Sequence, residues 1–410
     1  MRCAFRFLLG AEVVSNFGAM LSRLAIPWLA ALALDVTPFQ MGFLLVADVV
    51  AGAAGSLALG AMVDRMDKRA VMLATDAGRA LVLGLLAFLA IRESLAFPML
   101  VAAAAASGIM TVMFELARSA WIAQRVPVEE LASRNAQMSM GTSLSETVAF
   151  AIGGWIYQAM GAVIALIVDA ASYVISALLV RNVPAAPAAR NEARDSSGLR
   201  TMIDDVREGL RTIAAAPILR MLATVEVLVA LGMSTAGTSY MIFVARDIGF
   251  DTGTLGMIFA TGGIGSLIGA WLAPRLGARA GVRSAMLLGL ALLAIGAFCI
   301  PLAPGATILG AILLIAHQVV GDGGYNVYDV HDRTLRQAAV APHLLARVDS
   351  GIRTLGQLAR LLGAVGGGFI ATEIGTRSAL ALSAAIYVLA FIVVARFGRM
   401  PALSGRYSGS

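Results

Sequence analysis

Long apolar runs dominate the chain, and short polar turns separate them. Most runs hold about 20 residues with few charges, which is the length that an α-helix needs to cross a bilayer core. Twelve such runs can be placed, six before a polar stretch that begins near residue 181 and six after it. Among them, the fifth is predicted to end at Met160, the sixth to start at Ala162 and the tenth to end at Tyr328. The pattern predicts an all-α membrane protein with twelve transmembrane helices in two six-helix halves.

The polar stretch sets the predicted domain boundaries. Its first part has the Pro- and Ala-rich composition of a linker, and its second part places apolar residues at helical spacing. That spacing predicts an amphipathic helix on the cytoplasmic membrane surface, because the stretch is too short to build the core of a regulatory domain. The predicted parts are an N-terminal bundle (1–181), a cytoplasmic linker with this helix (182–217), a C-terminal bundle (218–397) and a cytoplasmic tail (398–410).

Composition and charge agree with a membrane protein. Hydrophobic residues make up 59% of the chain and charged residues 14%, whereas soluble domains have about 45–50% and about 25%. The net charge of +6 comes from arginines in the turns between the spans, so nucleic acid is not an expected partner. Arginines concentrate in the loops on one side, which predicts a multi-pass protein of the plasma (inner) membrane with both termini cytoplasmic.

The two halves share an internal repeat. The fifth and sixth spans read GGWIYQAMG from Gly153 and then DAASYV from Asp169. The eleventh and twelfth spans read GGFIATEIG from Gly367 and then SAAIYV from Ser383, at the same offset and without gaps. Duplicated halves are typical of transporters that hold their substrate between the repeats.

A basic stretch, GAMVDRMDKR, joins the second and third spans, and we expect the first helix to end at Asp64–Arg65 and the next to begin at Lys68–Arg69. It has the spacing G-x-x-x-D-R-x-x-[KR]-R, formed by Gly60, Asp64, Arg65, Lys68 and Arg69. An ordinary cytoplasmic turn needs the basic residues for orientation, but it does not need Gly60 or Asp64. The turn resembles the signature loop between helices 2 and 3 of the major facilitator superfamily of secondary transporters.

Further stretches resemble the drug:proton antiporter branch of that superfamily, which includes macrolide-efflux and enterobactin-exporter-like proteins. These stretches are IPW from Ile26, VPVEELASRNA from Val126, DVREGLRTI from Asp205 and TLRQAAVAPHLLARVDSGIR from Thr334. Three positions depart from the family's pattern: Ala19 follows Gly18 where Asp is common, the fifth span reads AFAIGG from Ala149 where a proline is usual, and Asp67 replaces a glycine of the turn.

The resemblance implies a major facilitator fold and roles for particular residues. It implies that Asp64 meets Arg118 and the start of the eleventh span near Gly351, a contact that favours the outward-open state and breaks on rearrangement. It also implies that spans 1, 4, 7 and 10 line the substrate cavity. The charged or polar candidates on those spans are Glu12, Arg23, Glu115, Arg118, Glu226, His317, Asp322 and Tyr325.

Ionisable groups within a bilayer are costly, so each is a candidate site residue or else belongs to a structural ion pair or lies near the headgroups. Glu146 and Arg360 complete the cavity candidates and are also predicted to pair with each other; Asp169 lies near mid-depth as well. A proton-coupled transporter needs a carboxylate that binds and releases a proton. The candidates for that role are Glu226 first, then Asp48, with His317 able to share it.

These observations predict a proton-coupled exporter of a small amphiphilic molecule that works by alternating access. A siderophore or other polar, anionic metabolite exporter, a lipid flippase and a non-transporting sensor or scaffold are the alternatives. No G-x-x-x-x-G-K-[ST] loop, H-E-x-x-H motif or Cys/His cluster occurs in the sequence, so neither an enzyme nor a metal site is expected. The expected partners are substrate, protons and lipid, with no cofactor, and the expected state is a monomer.

Overall fold

The computed structural model describes residues 2–186, 198–340 and 342–397, and within these ranges the chain forms helices and no strands. Two π-helical turns, Phe243–Asp247 and His317–Gly321, interrupt the helical course. The α-helices of the described residues are α1 (Arg2–Leu32), α2 (Pro38–Asp64), α3 (Lys68–Ile91), α4 (Phe97–Arg125), α5 (Val128–Val180), α6 (Gly198–Ala215), α7 (Pro217–Ile242), α8 (Thr252–Ala280), α9 (Val282–Leu302), α10 (Ile308–Ala316), α11 (Asp322–Ala339), α12 (Pro342–Glu373) and α13 (Thr376–Arg396).

Within the described ranges, nine helical segments are long and apolar enough to cross a membrane. α3 illustrates why they need a lipid environment. One of its faces is buried, while Leu81, Leu85 and Phe88 on another are 73%, 54% and 56% exposed. A stripe of large apolar side chains of this kind is unfavourable in water and favourable against lipid tails.

Gly161 divides α5 into two helical segments. Its φ of 78° lies in the left-handed region, which glycine adopts without steric cost. The break falls between the predicted fifth span, which ends at Met160, and the predicted sixth span, which starts at Ala162. Gly375, 214 residues later, has a φ of 110° in the turn between α12 and α13. The repeat seen in the sequence therefore recurs in the backbone of the two turns.

The tenth predicted span extends further than expected. It was predicted to end at Tyr328, but α10, the π-helical turn and α11 continue to Ala339. The added turns remain helical because their polar groups find partners nearby. Arg336 pairs with Asp332 in its own helix and with Asp349, at 3.3 Å, at the start of α12.

The helices form two compact units, and the main part of the second begins at Leu199, within the predicted linker. In the first unit α5 packs against α1 and α3, and α3 also packs against α4. In the second unit α7 packs against α12 and α13, while α9 packs against α11 and α13. The first unit comprises Met1–Val36, Phe43–Gly198 and Asp251–Met257, and the second comprises Thr37–Gly42, Leu199–Phe250 and Ile258–Ser410.

The start of the predicted linker is packed rather than free. Val183 and Ala186 are buried in the core of the first unit. Trp121 donates from Nε1 to the carbonyl of Pro184 at 2.9 Å, and the backbone N–H of Lys68 donates to the carbonyl of Ala186 at 3.1 Å. Residues 187–197 and the predicted tail at 398–410 lie outside the described ranges.

The predicted amphipathic helix forms as α6, and the part of its apolar face at Leu210 and Ile213 packs on protein. Ile213 is buried in the core of the second unit. The backbone of Gly209 lies against that of Arg347 at the start of α12, where a side chain would collide. Glu208 pairs with Arg347 at 2.7 Å. Gly209 and Ile213 therefore pack on protein, and the position of α6 at the cytoplasmic membrane surface stays a prediction.

Candidate functional site

The first unit encloses a cavity of about 270 Å³, lined from α1 to α5. Its size is near the lower end of the range for small-molecule sites. The lining mixes apolar side chains such as Phe114 with charged ones. The charged side chains that line it are Glu12, Arg23, Arg79, Glu115 and Asp169. Three of them, Glu12, Arg23 and Glu115, are candidates from the sequence.

Glu12 and Arg118 form an ion pair between α1 and α4. Both side chains are largely buried, so the pair neutralises two charges that would otherwise be costly in this environment. The resemblance implied that Arg118 would meet the end of α2 at Asp64. In the structure its guanidinium contacts Glu12 of α1, while the contact with Asp64, whose side chain lies outside the described structure, stays a prediction.

Arg79 and Asp76 form a second buried pair, one helical turn apart on α3. The distance from Arg79 Nη2 to Asp76 Oδ1 is 2.6 Å. Ser176 donates its hydroxyl to Asp76 Oδ2 at 2.7 Å, so both carboxylate oxygens have partners. The guanidinium carbon lies 4.2 Å from the ring centre of Tyr173 and 4.9 Å from that of Phe114. Two aromatic faces therefore hold the plane of Arg79 at the cavity wall.

Asp169 lies on the second helical segment of α5, and its side chain also faces the cavity. The residue is 1% exposed. Ser172, one turn away, places its hydroxyl 3.3 Å from Asp169 Oδ1. Among the described residues Asp169 forms no ion pair. It differs in this from Asp76 and Glu12, each of which has an arginine partner.

Gly18 on α1 makes room for this part of α5. A Cβ at Gly18 would lie 2.7 Å from Cβ of Ser172, which is closer than real contacts allow. Gly232, 214 residues later on α7, has the same relation to α13, since its Cβ would lie 2.5 Å from Cε1 of Tyr387. Glycine at both positions allows the two helices of each pair to approach closely.

The remaining sequence candidates are spread through both units. Glu146 lies in α5 of the first unit and Arg360 in α12 of the second, so the predicted pair between them stays a prediction. Glu226 lies beside Gly356, whose Cβ would be 3.0 Å from its Oε1. The side chain of Asp48 is outside the described structure.

His317, Asp322 and Tyr325 lie at the π-helical turn and just after it. His317 Nδ1 lies 3.1 Å from the carbonyl oxygen of Gly296, and its ring centre is 5.6 Å from that of Tyr240. Asp322 fills the space beside Gly262. The ring centre of Tyr325 is 6.3 Å from that of Tyr328. A π-helical turn often marks a functional position in a helix.

The turn between α2 and α3 has the predicted limits, since α2 ends at Asp64 and α3 starts at Lys68. Asp67 caps α3 by accepting from the backbone N–H of Ala70 at 2.8 Å. Lys68 is buried and donates from Nζ to the carbonyls of Val63 and Met66, at 2.8 and 3.1 Å. The surroundings of Gly60 and the side chain of Asp64 lie outside the described structure, while Arg65 is exposed and Arg69 is partly buried.

Sequence reasoning missed Asp76 and Arg79 on α3 and the pair of Asp332 with Arg336 on α11. Both pairs have a signal in the sequence, namely opposite charges three or four residues apart. In α3 the pair stands inside an apolar run, where its only stable arrangement is a mutual contact. That spacing could have placed Arg79 among the candidates.

Comparison with known proteins gives a family and a set of similar structures. The sequence model of the Major Facilitator Superfamily matches residues 8–329. The uncharacterized MFS-type transporter YfiS of Bacillus subtilis (strain 168) is 24% identical over 410 residues, which cover 98% of this chain and 94% of that protein.

Three solved structures illustrate the likeness in fold. A point mutant of the nucleoside transporter NupG has a TM-score of 0.74 at 14% identity, over 96% of this chain and 100% of that one. A bacterial homologue of the iron transporter ferroportin, in an inward-facing state, has a TM-score of 0.73 at 15% identity, over 96% and 98%. A bacterial homologue of the lysosomal transporter Spinster has a TM-score of 0.71 at 14% identity, over 96% and 97%. At these identities the likeness shows the fold alone.

Proposed function

Because this chain belongs to the Major Facilitator Superfamily, whose model matches residues 8–329, we propose that it is a secondary active exporter of the drug:proton antiporter branch. It moves a small amphiphilic molecule by alternating access in exchange for protons. The observation that carries this proposal is the cavity of the first unit, in which aromatic and charged side chains lie together inside apolar helices. Such a lining suits a molecule that has both an apolar body and a polar group.

Twelve transmembrane helices form part of the proposal. The break at Gly161 makes two spans of α5, the π-helical turn joins α10 and α11 into one, and α6 is too polar to cross. In this arrangement 1–181 and 218–397 are the two bundles, and 182–217 and 398–410 are cytoplasmic. Both termini are then cytoplasmic in a monomer of the inner membrane, as the arginine distribution favours.

The proton gradient is the proposed energy source, with no cofactor. Glu226 and Asp48 remain candidates for the proton-carrying group. His317 fits the role less well, because its Nδ1 is already engaged by the carbonyl of Gly296 and its ring packs near Tyr240. Protons, substrate and lipid are the proposed partners, without nucleic acid.

Export of an anionic metabolite such as a siderophore is the second candidate, and Arg23 favours it. This arginine is exposed at the cavity and forms no ion pair among the described residues. A guanidinium in that position can bind a carboxylate or catecholate through paired hydrogen bonds. At 14–15% identity, the substrates of the nucleoside and iron transporters of similar fold are not assigned to this chain.

Transport by purified protein in proteoliposomes separates the two candidates. With an acidified lumen, ethidium, an amphiphilic cation, should accumulate through the parent protein and not through empty liposomes. Replacing Arg23 with alanine removes a like charge from the cavity. We expect this change to raise the affinity for ethidium about fivefold, which corresponds to about 1 kcal/mol of repulsion.

The matched control is Arg92→Ala, because Arg92 is exposed at the end of α3 and does not line the cavity. It should bind ethidium as the parent does. Binding of 2,3-dihydroxybenzoate that falls about tenfold in Arg23→Ala and not in Arg92→Ala would favour the anion exporter instead. If no pH gradient moves either probe through the parent, proton-coupled export is contradicted.

A further inference from the structure

We propose that Asp169 of the first unit binds the transported proton, and that Arg79, paired with Asp76, shifts its position when Asp169 releases that proton. This assignment rests on the proposed proton coupling and names a residue for it. It differs from the sequence candidates: Glu226 and His317 lie in the second unit, and Asp48 lies on α2 of the first.

Among the three most buried charged side chains at this cavity, Asp76, Arg79 and Asp169, negative charge exceeds positive charge. Asp76, Arg79 and Asp169 are each at most 5% exposed. One guanidinium faces two carboxylates, and its contact at 2.6 Å goes to Asp76. A second buried carboxylate without an ion-pair partner is stable when it carries a proton and costly when it does not. The group as a whole therefore accommodates one proton, on Asp169.

The internal repeat provides a control within the same chain. Helices α9 and α13 of the second unit correspond to α3 and the second segment of α5, and they also pack against each other. The repeat has an offset of 214 residues, so the positions equivalent to Asp76, Arg79 and Asp169 are Leu290, Leu293 and Ser383.

These counterparts carry no charge, yet they pack as well as the charged set. Leu290 and Leu293 lie in the apolar core of the second unit, 0% and 6% exposed. Ser383 donates its hydroxyl to the carbonyl of Gly232 at 2.8 Å. The helix packing thus needs no charge at these three positions. Buried charges that the fold does not require are expected to serve function.

Arg79 is placed to sense the charge of Asp169. Both side chains line the cavity, and the Nε of Arg79 is buried without a hydrogen-bond partner. While Asp169 is protonated, Arg79 remains with Asp76. When Asp169 releases its proton to the cavity water, its carboxylate attracts the guanidinium and competes with Asp76 for it. Because Tyr173 and Phe114 hold that guanidinium, a shift of Arg79 changes the cavity wall that the substrate meets.

Other titratable and charged groups face the same cavity. Their charges contribute to the field at Asp169, but the Glu12 charge is balanced by Arg118. The groups are Glu12 and Arg23 from α1, Arg79 from α3 with Asp76 behind it, Glu115 from α4 and Tyr173 from the same helix as Asp169.

The test combines infrared spectroscopy with transport. A protonated carboxyl group has a carbonyl stretching band that shifts in heavy water. The reconstituted parent protein should show this band near neutral pH. One component of the band should be absent from Asp169→Asn and from Asp169→Ser, the second of which introduces the residue found at Ser383. In the transport arm, the ratio of gradient-driven ethidium accumulation to ethidium exchange should fall about tenfold or more in both variants.

Two infrared results would overturn the assignment. One is an unchanged carbonyl band in both Asp169 variants, and the other is loss of that component in Glu226→Gln instead. If the parent protein moves ethidium with the pH gradient and the Asp169 variants have the same coupling ratio as the parent, the assignment is also contradicted. The proposed function then remains in place. If the parent moves no ethidium but the band component depends on Asp169, the proposed function fails and the proton site stands.

Discussion

Replacing Arg79 with leucine is expected to lower the free energy of unfolding by about 3–5 kcal/mol. The change removes the cation at 2.6 Å from Asp76 and leaves a carboxylate with 0% exposure facing apolar helices. It also removes the side chain that fills the space between Tyr173 and Phe114. Thermal unfolding of the detergent-purified protein measures the loss, as a shift of the melting temperature relative to the parent.

The double variant Asp76→Leu/Arg79→Leu is the matched control. It installs the pair found at Leu290 and Leu293 in the second unit. Because an apolar pair replaces a buried ion pair of similar volume at little or no cost, we expect most of the lost stability to return. A double variant as unstable as Arg79→Leu would mean that the charges hold the first unit together. That outcome would contradict our interpretation of the repeat.

Replacing Lys68 with methionine is expected to destabilise the first unit by about 3 kcal/mol, since hydrogen bonds from a charged donor contribute about 1.5–3 kcal/mol each. Lys68 is 1% exposed, and its Nζ holds the carbonyls of Val63 and Met66 at the end of α2. Without it those carbonyls lose a partner and the turn between α2 and α3 loosens. Both the melting temperature and gradient-driven ethidium transport should fall.

Arg65→Met provides the comparison for this turn. Arg65 lies three residues before Lys68 and is exposed, so the same substitution removes a charge without removing a buried donor. It should leave the melting temperature within a few degrees of the parent value. Equal melting temperatures for the Lys68 and Arg65 variants would show that the buried ammonium does not stabilise the turn.

Features set by local chemistry were predictable from the sequence. The turn at Asp64–Lys68 follows from a polar stretch between two apolar runs, and the structure has the predicted limits. The break between the fifth and sixth spans follows from Gly161, since the left-handed conformation there favours glycine. Both depend on residues within a turn of the chain, so the sequence carries the whole signal.

Features set by distant contacts were not predictable in the same way. The surroundings of Asp76 depend on Ser176, which is 100 residues away, and those of Arg118 depend on Glu12. The apolar face of α6 is suited equally to lipid and to protein, and its periodicity does not indicate that α12 approaches it at Gly209. Hydrophobic periodicity identifies a face that must be covered but does not identify what covers it.

The triple variant Asp76→Leu/Arg79→Leu/Asp169→Ser tests the central claim most directly, since it gives the first unit the residues that the second unit has at these positions. The measurement is ethidium accumulation in proteoliposomes with an acidified lumen, alongside the melting temperature of the same preparation. We predict a protein that unfolds within a few degrees of the parent or above it, and whose gradient-driven accumulation falls to that of empty liposomes. A triple variant that fails to fold, or one that accumulates ethidium as the parent does, would contradict the claim that these charges serve coupling rather than the fold.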